Sequence, residues 1–169
     1  MSDLDGLIEQ HIPRLRRYAR ALTGDRAAAD DLVQDTLERA LSRFHLWRRG
    51  SDLRAWLFTI MHNIFVNQVR SRARRYHESL ETEPAADAAR APEPDWLELR
   101  DIASALSRLP HDQKAVVLLV GLEQFTYDEA AQVLGVPIGT VMSRLSRARE
   151  RLRALLGGDV KVSSLKVVK

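Results

Sequence analysis

Residues 126–156, TYDEAAQVLGVPIGTVMSRLSRARERLRALL, decide how the rest of the chain is read. Thr126 can cap a short helix, and Glu129 three positions later can cap the backbone of Thr126 in return. Gly135 suits the left-handed conformation that ends a helix, and Pro137 cannot continue one. Ala131 is small where a second helix must cross closely, and Val141 can reach back into the same small core. This pattern predicts a helix-turn-helix, two helices joined by a tight turn at Gly135-Val136-Pro137.

The second helix has two faces. Val141, Leu145, Ala148, Leu152 and Leu155 recur at spacings of four, three, four and three and form one apolar stripe. Arg144, Arg147 and Arg151 line another side, with Arg149 and Arg153 nearby. An arginine-rich helix alone is no more than a solvated surface helix. With the cap, the turn and the small residue in agreement, the pattern points to a helix that enters the DNA major groove.

Composition sets the frame. The 169 residues are enough for one or two small domains, and contents of 45% hydrophobic and 29% charged residues are those of an ordinary globular chain. The net charge of +3 is unevenly spread. Residues 1–76 carry 14 Lys/Arg against 9 Asp/Glu, residues 77–99 carry 1 against 7, and residues 100–169 carry 11 against 7. Two basic blocks, each a candidate for binding a polyanion, flank an acidic connector. Cysteine is absent, which excludes disulfides and thiolate chemistry and suits a reducing cytoplasm. The N-terminus MSDLDGLIEQ lacks the pattern of a secretory signal, and the longest apolar run, residues 115–120, is too short to span a bilayer. The expectation is a soluble chain without membrane insertion, acting in the cytoplasm.

Working outward, a first helix is expected over 4–22, with Leu4, Leu7, Ile8, Ile12, Leu15, Ala19 and Leu22 inward and Pro13 able to kink it or move its start. A second should run from Arg26 or Ala27 to about Phe44, with Val33, Leu37, Ala40, Leu41 and Phe44 inward. Its other face carries Asp31, Gln34, Asp35 and Glu38. Acids favour a helix N-terminus, but Asp35 and Glu38 lie too far along for that. On the residues alone this is equally a solvated face or a partner-binding one.

A loop, HLWRRGS (45–51), leads to a third helix capped by Ser51 or Asp52. Leu53, Trp56, Leu57, Ile60, Met61, Ile64 and Phe65 make its apolar stripe, Arg54, His62, Asn63 and Asn67 its polar side, and Arg70, Arg72, Arg74 and Arg75 its basic end. Rings, amides and guanidinium groups around one loop and helix suit unpaired bases. Trp56, at helical spacing, belongs with the core more than with a ligand; Trp47, between arginines in a loop, is the better stacking candidate. His62 is read as a surface residue. No second ligand stands at metal spacing beside it, so no metal is assigned, and no cofactor is implied.

Residues 77–94 are rich in Pro, Ala, Glu and Asp and read as a flexible linker. A cap at Asp95 with Glu98 opens a helix whose apolar residues are Trp96, Leu99, Ile102, Ala103 and Leu106. Leu109-Pro110 starts another through Leu122. The fold expected is all-α: two small helical domains, 1–76 and 95–157, joined by a flexible acidic linker, with a frayed tail over 158–169.

Four blocks together, DDLVQDTLERAL (30–41), WRRGSDLRAWLFTIMHNIFVNQVRSRARR (47–75), LSRLPHDQKAVVLL (106–119) and YDEAAQVLGVPIGTVMSRLSRARERL (127–152), carry a likeness. In order and spacing they resemble the extracytoplasmic-function (ECF) sigma factors, small two-domain bacterial initiation factors. The resemblance implies a chain that binds core RNA polymerase, takes it to specific promoters and assists strand opening. It implies that Asp31, Gln34, Asp35 and Glu38 dock on the polymerase. Trp47, Arg48, Ser51, Leu53, Arg54, Trp56 and Asn63 would capture bases of the opened −10 element, with Arg70 and Arg74 near backbone phosphates. Thr140, Ser143, Arg144 and Arg147 would read the duplex −35 element. An anti-sigma factor is an implied partner. Met142 and Ser146 depart from relatives that carry arginine or an aromatic there, which removes bidentate guanine contacts at those positions. Leu53 and Arg54 stand where some members have aromatics, leaving more of the stacking to Trp47. The competing readings are a stand-alone helix-turn-helix regulator, which would need a dimer to set half-site spacing, and a sigma-like decoy that binds an anti-sigma partner and no DNA. An enzyme is a distant third, because no nucleophile–base pair, phosphate loop or metal cluster is visible.

Overall fold

The protein is described from a computed structural model over residues 3–78 and 97–157. All elements there are helical. α1 covers Asp3–Glu9 and α2 Ile12–Thr23, so the expected single first helix is two. Pro13 falls in the first turn of α2, where its missing N–H would have had no partner anyway. Gly24, at φ 70°, ends α2 with its N–H on the carbonyl of Arg20. α3, Arg26–Ser42, is capped by Asp25, whose carboxylate accepts from Ala28 N at 3.0 Å. A 3₁₀ turn, Phe44–Leu46, leads to α4, Leu53–Glu78. There Asp52 is the cap, accepting from Ala55 N at 3.2 Å. Since α4 continues through Glu78, His77 and Glu78 are helix, and the connector begins after them.

α2, α3 and α4 enclose the first core from Leu15, Tyr18, Ala19, Leu22, Ala29, Leu32, Val33, Ala40, Leu57, Phe58 and Met61. The inward set of α3 is shifted from the expected one: Leu32 and Ala29 are buried, whereas Leu41 faces out. Thr36 is also buried, its hydroxyl donating to the carbonyl of Leu32 at 2.7 Å, which satisfies it without a partner helix.

The second half begins with α5, Leu97–Ser107, then α6, His111–Val117. α6 widens over 118–122 into a π turn, in which Glu123 N reaches the carbonyl of Leu118 at 3.0 Å. α7, Tyr127–Leu134, and α8, Ile138–Leu155, complete it. The capping box forms as expected: Thr126 Oγ1 accepts from Glu129 N at 3.1 Å, and Glu129 Oε1 accepts from Thr126 N at 3.4 Å. Gly135 takes φ 65°, and Val141, Leu145, Ala148 and Leu152 are buried against α6 and α7. The apolar stripe expected on α5 is covered only in part among its described residues. Leu99 is 59% exposed and Ile102 and Ala103 face out, whereas Leu106 is half-buried against the core and Ala105 beside it is buried. The expected linker residues 79–94, the Asp95 cap, Trp96 and the tail 158–169 lie outside the described residues.

The two halves do not stand apart. α4 lies along α7, and α2 meets α6 and the π turn. Phe58 of the first half meets Phe125 of the second edge-on, with ring centroids 5.2 Å apart, so one apolar core runs through both. No helix among the described residues is long and apolar enough to cross a membrane.

Candidate nucleic-acid interface

Three helices present chemically distinct outer faces. On α3, Asp31, Gln34, Asp35 and Glu38 are all exposed, and Gln34 Nε2 donates to Glu38 Oε1 at 3.2 Å. Leu37 and Leu41 add apolar surface beside them. An acidic, partly apolar ridge of this kind suits a basic protein surface.

On α4, Asn63, Arg70 and Arg74 are exposed along one helix. The preceding loop is locally braced: Ser51 Oγ donates to the carbonyl of Arg48 at 2.6 Å, with both residues exposed. Trp47 is not a loose ring between arginines. It packs on Phe44 at 5.2 Å, and Trp56 meets the same ring at 6.2 Å, forming a half-buried aromatic cluster. The indole Nε1 of Trp47 is buried without a hydrogen bond. Leu53 is 8% exposed and belongs to the core, so its place at the start of α4 serves packing and offers no base contact in this arrangement.

Arg54 is the largest departure from expectation. Its guanidinium faces the second half, donating to the carbonyl of Glu123 at 3.1 Å and to Glu129 Oε2 at 3.5 Å. It also lies 4.0 Å over the ring of Phe125, a cation–π contact. Beside it, Arg17 Nε and Nη2 both donate to Glu123 Oε1, at 3.2 and 3.1 Å. The Glu123 side chain is wholly buried, and its Oε2 has no hydrogen-bond partner. Lys114, buried in α6, donates to the carbonyl of Leu22 at 3.2 Å, and burial lowers its pKa. The Tyr18 hydroxyl is buried without a partner; burial and the nearby Glu123 charge raise its pKa.

His62 is half-buried, with its Nδ1 shut away from solvent and without a hydrogen bond. It lies one helical turn beyond Phe58 on α4, and burial, reinforced by the charge of Arg144 from α8, lowers its pKa to about 4. His111 packs edge-on to Phe65 at 5.4 Å, and its pKa is lowered by burial first and by Lys114 next. No group of three potential metal ligands occurs among the described residues.

α8 carries the third face. Ser143 and Arg147 are exposed, Thr140 is half-buried, and Ser143 Oγ donates to the carbonyl of Thr140 at 3.2 Å. Arg144 is drawn toward Asp112, 3.7 Å away. Ile138 and Met142, one turn apart, are exposed apolar residues at the leading end of the helix. The four −35 candidates therefore share the first turns of one helix. The −10 candidates split: Arg48, Ser51, Asn63, Arg70 and Arg74 are open, Trp47 and Trp56 are half-buried, Leu53 is core, and Arg54 is engaged. Arg17, Lys114, Glu123 and Phe125 were not expected from the sequence. Arg17 and Glu123 are separated by 106 positions, so no local spacing could pair them. A charged residue closing the apolar run 115–122 was the one available sign.

Comparison with known proteins agrees with this layout. Residues 8–62 match the family described as the Sigma2 domain of PhyR, and residues 99–152 match Sigma-70, region 4. The chain is 41% identical over 155 residues to the ECF RNA polymerase sigma factor EcfG of Rhodopseudomonas palustris, covering 88% of this chain and 82% of that protein. Among solved structures it resembles the sigma factor RpoE of Bartonella quintana in complex with the anti-sigma factor NepR. That match has a TM-score of 0.83 at 38% identity and covers 95% of this chain and 100% of that one. It also resembles CnrH in complex with the cytosolic domain of CnrY, with a TM-score of 0.66 at 30% identity, over 92% and 88% of the two chains. With a capped helix-turn-helix behind a basic face and an acidic α3, the chain belongs to the ECF RNA polymerase sigma factor family, the non-enzymatic initiation factors that direct RNA polymerase to promoters.

Proposed function

We propose that the three outer faces divide the work of initiation. The acidic ridge of α3, Asp31, Gln34, Asp35 and Glu38, docks on core polymerase. α8 reads the duplex −35 element through Thr140, Ser143, Arg144 and Arg147, and Ile138 and Met142 offer apolar contacts to thymine methyl groups. α4 and the loop before it capture unpaired −10 bases: Trp47 and Trp56 supply rings, Asn63 and Arg54 polar contacts to bases, Arg48 and Ser51 the loop edge, and Arg70 and Arg74 phosphate contacts. Leu53 supports this surface from beneath. Strand opening then needs no chemistry, since unstacking a base costs a few kcal/mol, roughly what stacking and pocket contacts return.

The observation that carries this reading is the division of exposed charge between helices: Asp31, Asp35 and Glu38 on α3, against Arg70, Arg72, Arg74 and Arg75 at the end of α4 and Arg147, Arg151 and Arg153 on α8. Geometry adds a requirement. The two promoter elements lie roughly 25 base pairs apart by name, about 85 Å along B-DNA at about 3.4 Å per step. A compact chain of this length is about 40 Å across. One closed molecule cannot touch both, so the halves must separate on the polymerase. The chain is further proposed to act in the cytoplasm and to be held by an anti-sigma factor, as RpoE is held by NepR.

The test is promoter binding with and without purified core polymerase at one salt concentration. Weak binding by the free chain, with binding and promoter-dependent transcripts from the holoenzyme, is the expected result. Equal affinity in both would favour a stand-alone regulator, and holoenzyme without transcripts a decoy.

A further inference from the structure

We infer that the cleft between α3 and α4 is a binding site for a small oligophosphate, the class of anion that includes nucleoside di- and triphosphates. The arginines at the end of α4 do not form one face. At about 100° per residue, Asn63, Arg70 and Arg74 fall within about 40° of one another, on the stripe proposed for −10 capture. Arg72 and Arg75 lie about 100–160° farther round the helix, on the side that meets α3. There they line a cleft of about 440 Å³ together with Arg39 of α3 and with Asn67, Gln68 and Ser71 of α4. A second hollow shares Asp35 and Arg39 with the first and adds Arg43, one turn beyond Arg39.

Three like charges gathered from two helices repel one another and call for a counter-charge. Among the described residues, no carboxylate forms an ion pair with Arg39, Arg72 or Arg75, and Asp35 on the same cleft pairs with none of them. All three arginines are exposed, and Arg75 is aimed by Ser71, whose Oγ accepts from its Nη2 at 3.3 Å. Guanidinium forks match phosphoryl oxygens in pairs, which lysines do not. The size of the cleft points the same way. A lone phosphate would fill little of it, whereas two or three linked phosphoryl groups can reach guanidinium groups on both helices. Asn67 and Gln68 add uncharged donors and acceptors suited to a ribose or a base edge. Asp35, the acidic member of the lining, repels phosphate and accepts from a hydroxyl or amino group, so it orients such a ligand. Asp35 is also a proposed polymerase contact, so occupancy of the cleft and docking meet on α3.

The test is isothermal titration of the full chain with inorganic tripolyphosphate, pyrophosphate, orthophosphate and ADP, at fixed ionic strength and without divalent metal. One tripolyphosphate per chain is expected, with affinity falling through pyrophosphate to orthophosphate. Arg39→Gln combined with Arg72→Gln should weaken tripolyphosphate binding about tenfold or more. Arg151→Gln combined with Arg153→Gln removes the same charge from exposed positions of α8 and should change it less than about twofold. Arg72→Lys, which keeps the charge and loses the fork, should fall between. ADP tighter than pyrophosphate would assign a nucleotide, and equal affinities the inorganic anion; either supports the site. No binding, several ions per chain, or equal losses in both paired variants would reduce the cleft to diffuse charge and overturn the inference. An equal loss of affinity for single-stranded −10 DNA in the Arg39 and Arg72 pair would overturn it too, making the cleft part of the nucleic-acid path. Circular dichroism keeps folding out of the comparison, and the order of affinities in the parent needs no variant.

Discussion

Guanidinium groups with several neighbours are poor candidates for a single role, and Arg54 illustrates why. Five donors and a flat face let it answer equally to a carbonyl, a carboxylate, a ring or a base. The family resemblance implied base contact for it, while its geometry shows an intramolecular engagement 69 and 75 residues away. Asn63, by contrast, stays exposed and is the cleaner probe of −10 capture. Asn63→Ala should impair initiation by the holoenzyme several-fold on a duplex promoter and much less on one mismatched across the −10 element, as measured by run-off transcription. Equal loss on both templates would indicate a damaged fold. Degrees of exposure were legible where helical phase sets them, as for Asp31, Asp35, Arg70 and Arg147. They were not legible for Leu53, Trp47 and His62. Their burial depends on Phe44, on neighbouring helices or on the second half, none of which helical spacing reveals.

At the level of elements, α7 and α8 were readable almost residue by residue because their determinants are local: a cap, a left-handed glycine, a proline and a heptad-like stripe. Thr126→Ala removes an acceptor that Glu129 N reaches at 3.1 Å and breaks the reciprocal box. It should destabilise the second half by about 1 kcal/mol, lowering the thermal midpoint by several degrees, with Thr126→Ser restoring most of it. No change by calorimetry would mean that tertiary packing alone fixes the start of α7. Elsewhere local rules met competition. The chain breaks at Gln10 and His11 because Pro13 prefers a first turn. α5 leaves Leu99 and Ile102 outside because spacing marks an amphipathic face without saying what covers it.

For the whole molecule, two domains and their order were legible, whereas their contact was not, since charged pairs far apart in sequence leave no periodic trace. That contact gives the protein a pH dependence whose sign can be worked out. In the closed form His62 has a pKa of about 4, held low by burial and by Arg144; exposed by opening, it returns toward its ordinary 6.5. The open form therefore takes up the proton first. The contribution of His62 to closure is complete above pH 6.5 and lost as pH falls toward 4, by about 3 kcal/mol at most. The lowered pKa of His111 acts in the same direction. Scattering on a pH series should show the parent expanding over that window, and His62→Gln expanding less; identical curves would remove His62 from the balance. A last consequence lies in the π turn at 118–122. Its wider loop accommodates one more residue than an α-helical turn would. Wound as an ordinary α-helix, the same residues would carry Glu123 about 100° farther round the axis and away from Arg17. The pairing of the two halves thus depends on how one turn is wound as much as on which charges meet there.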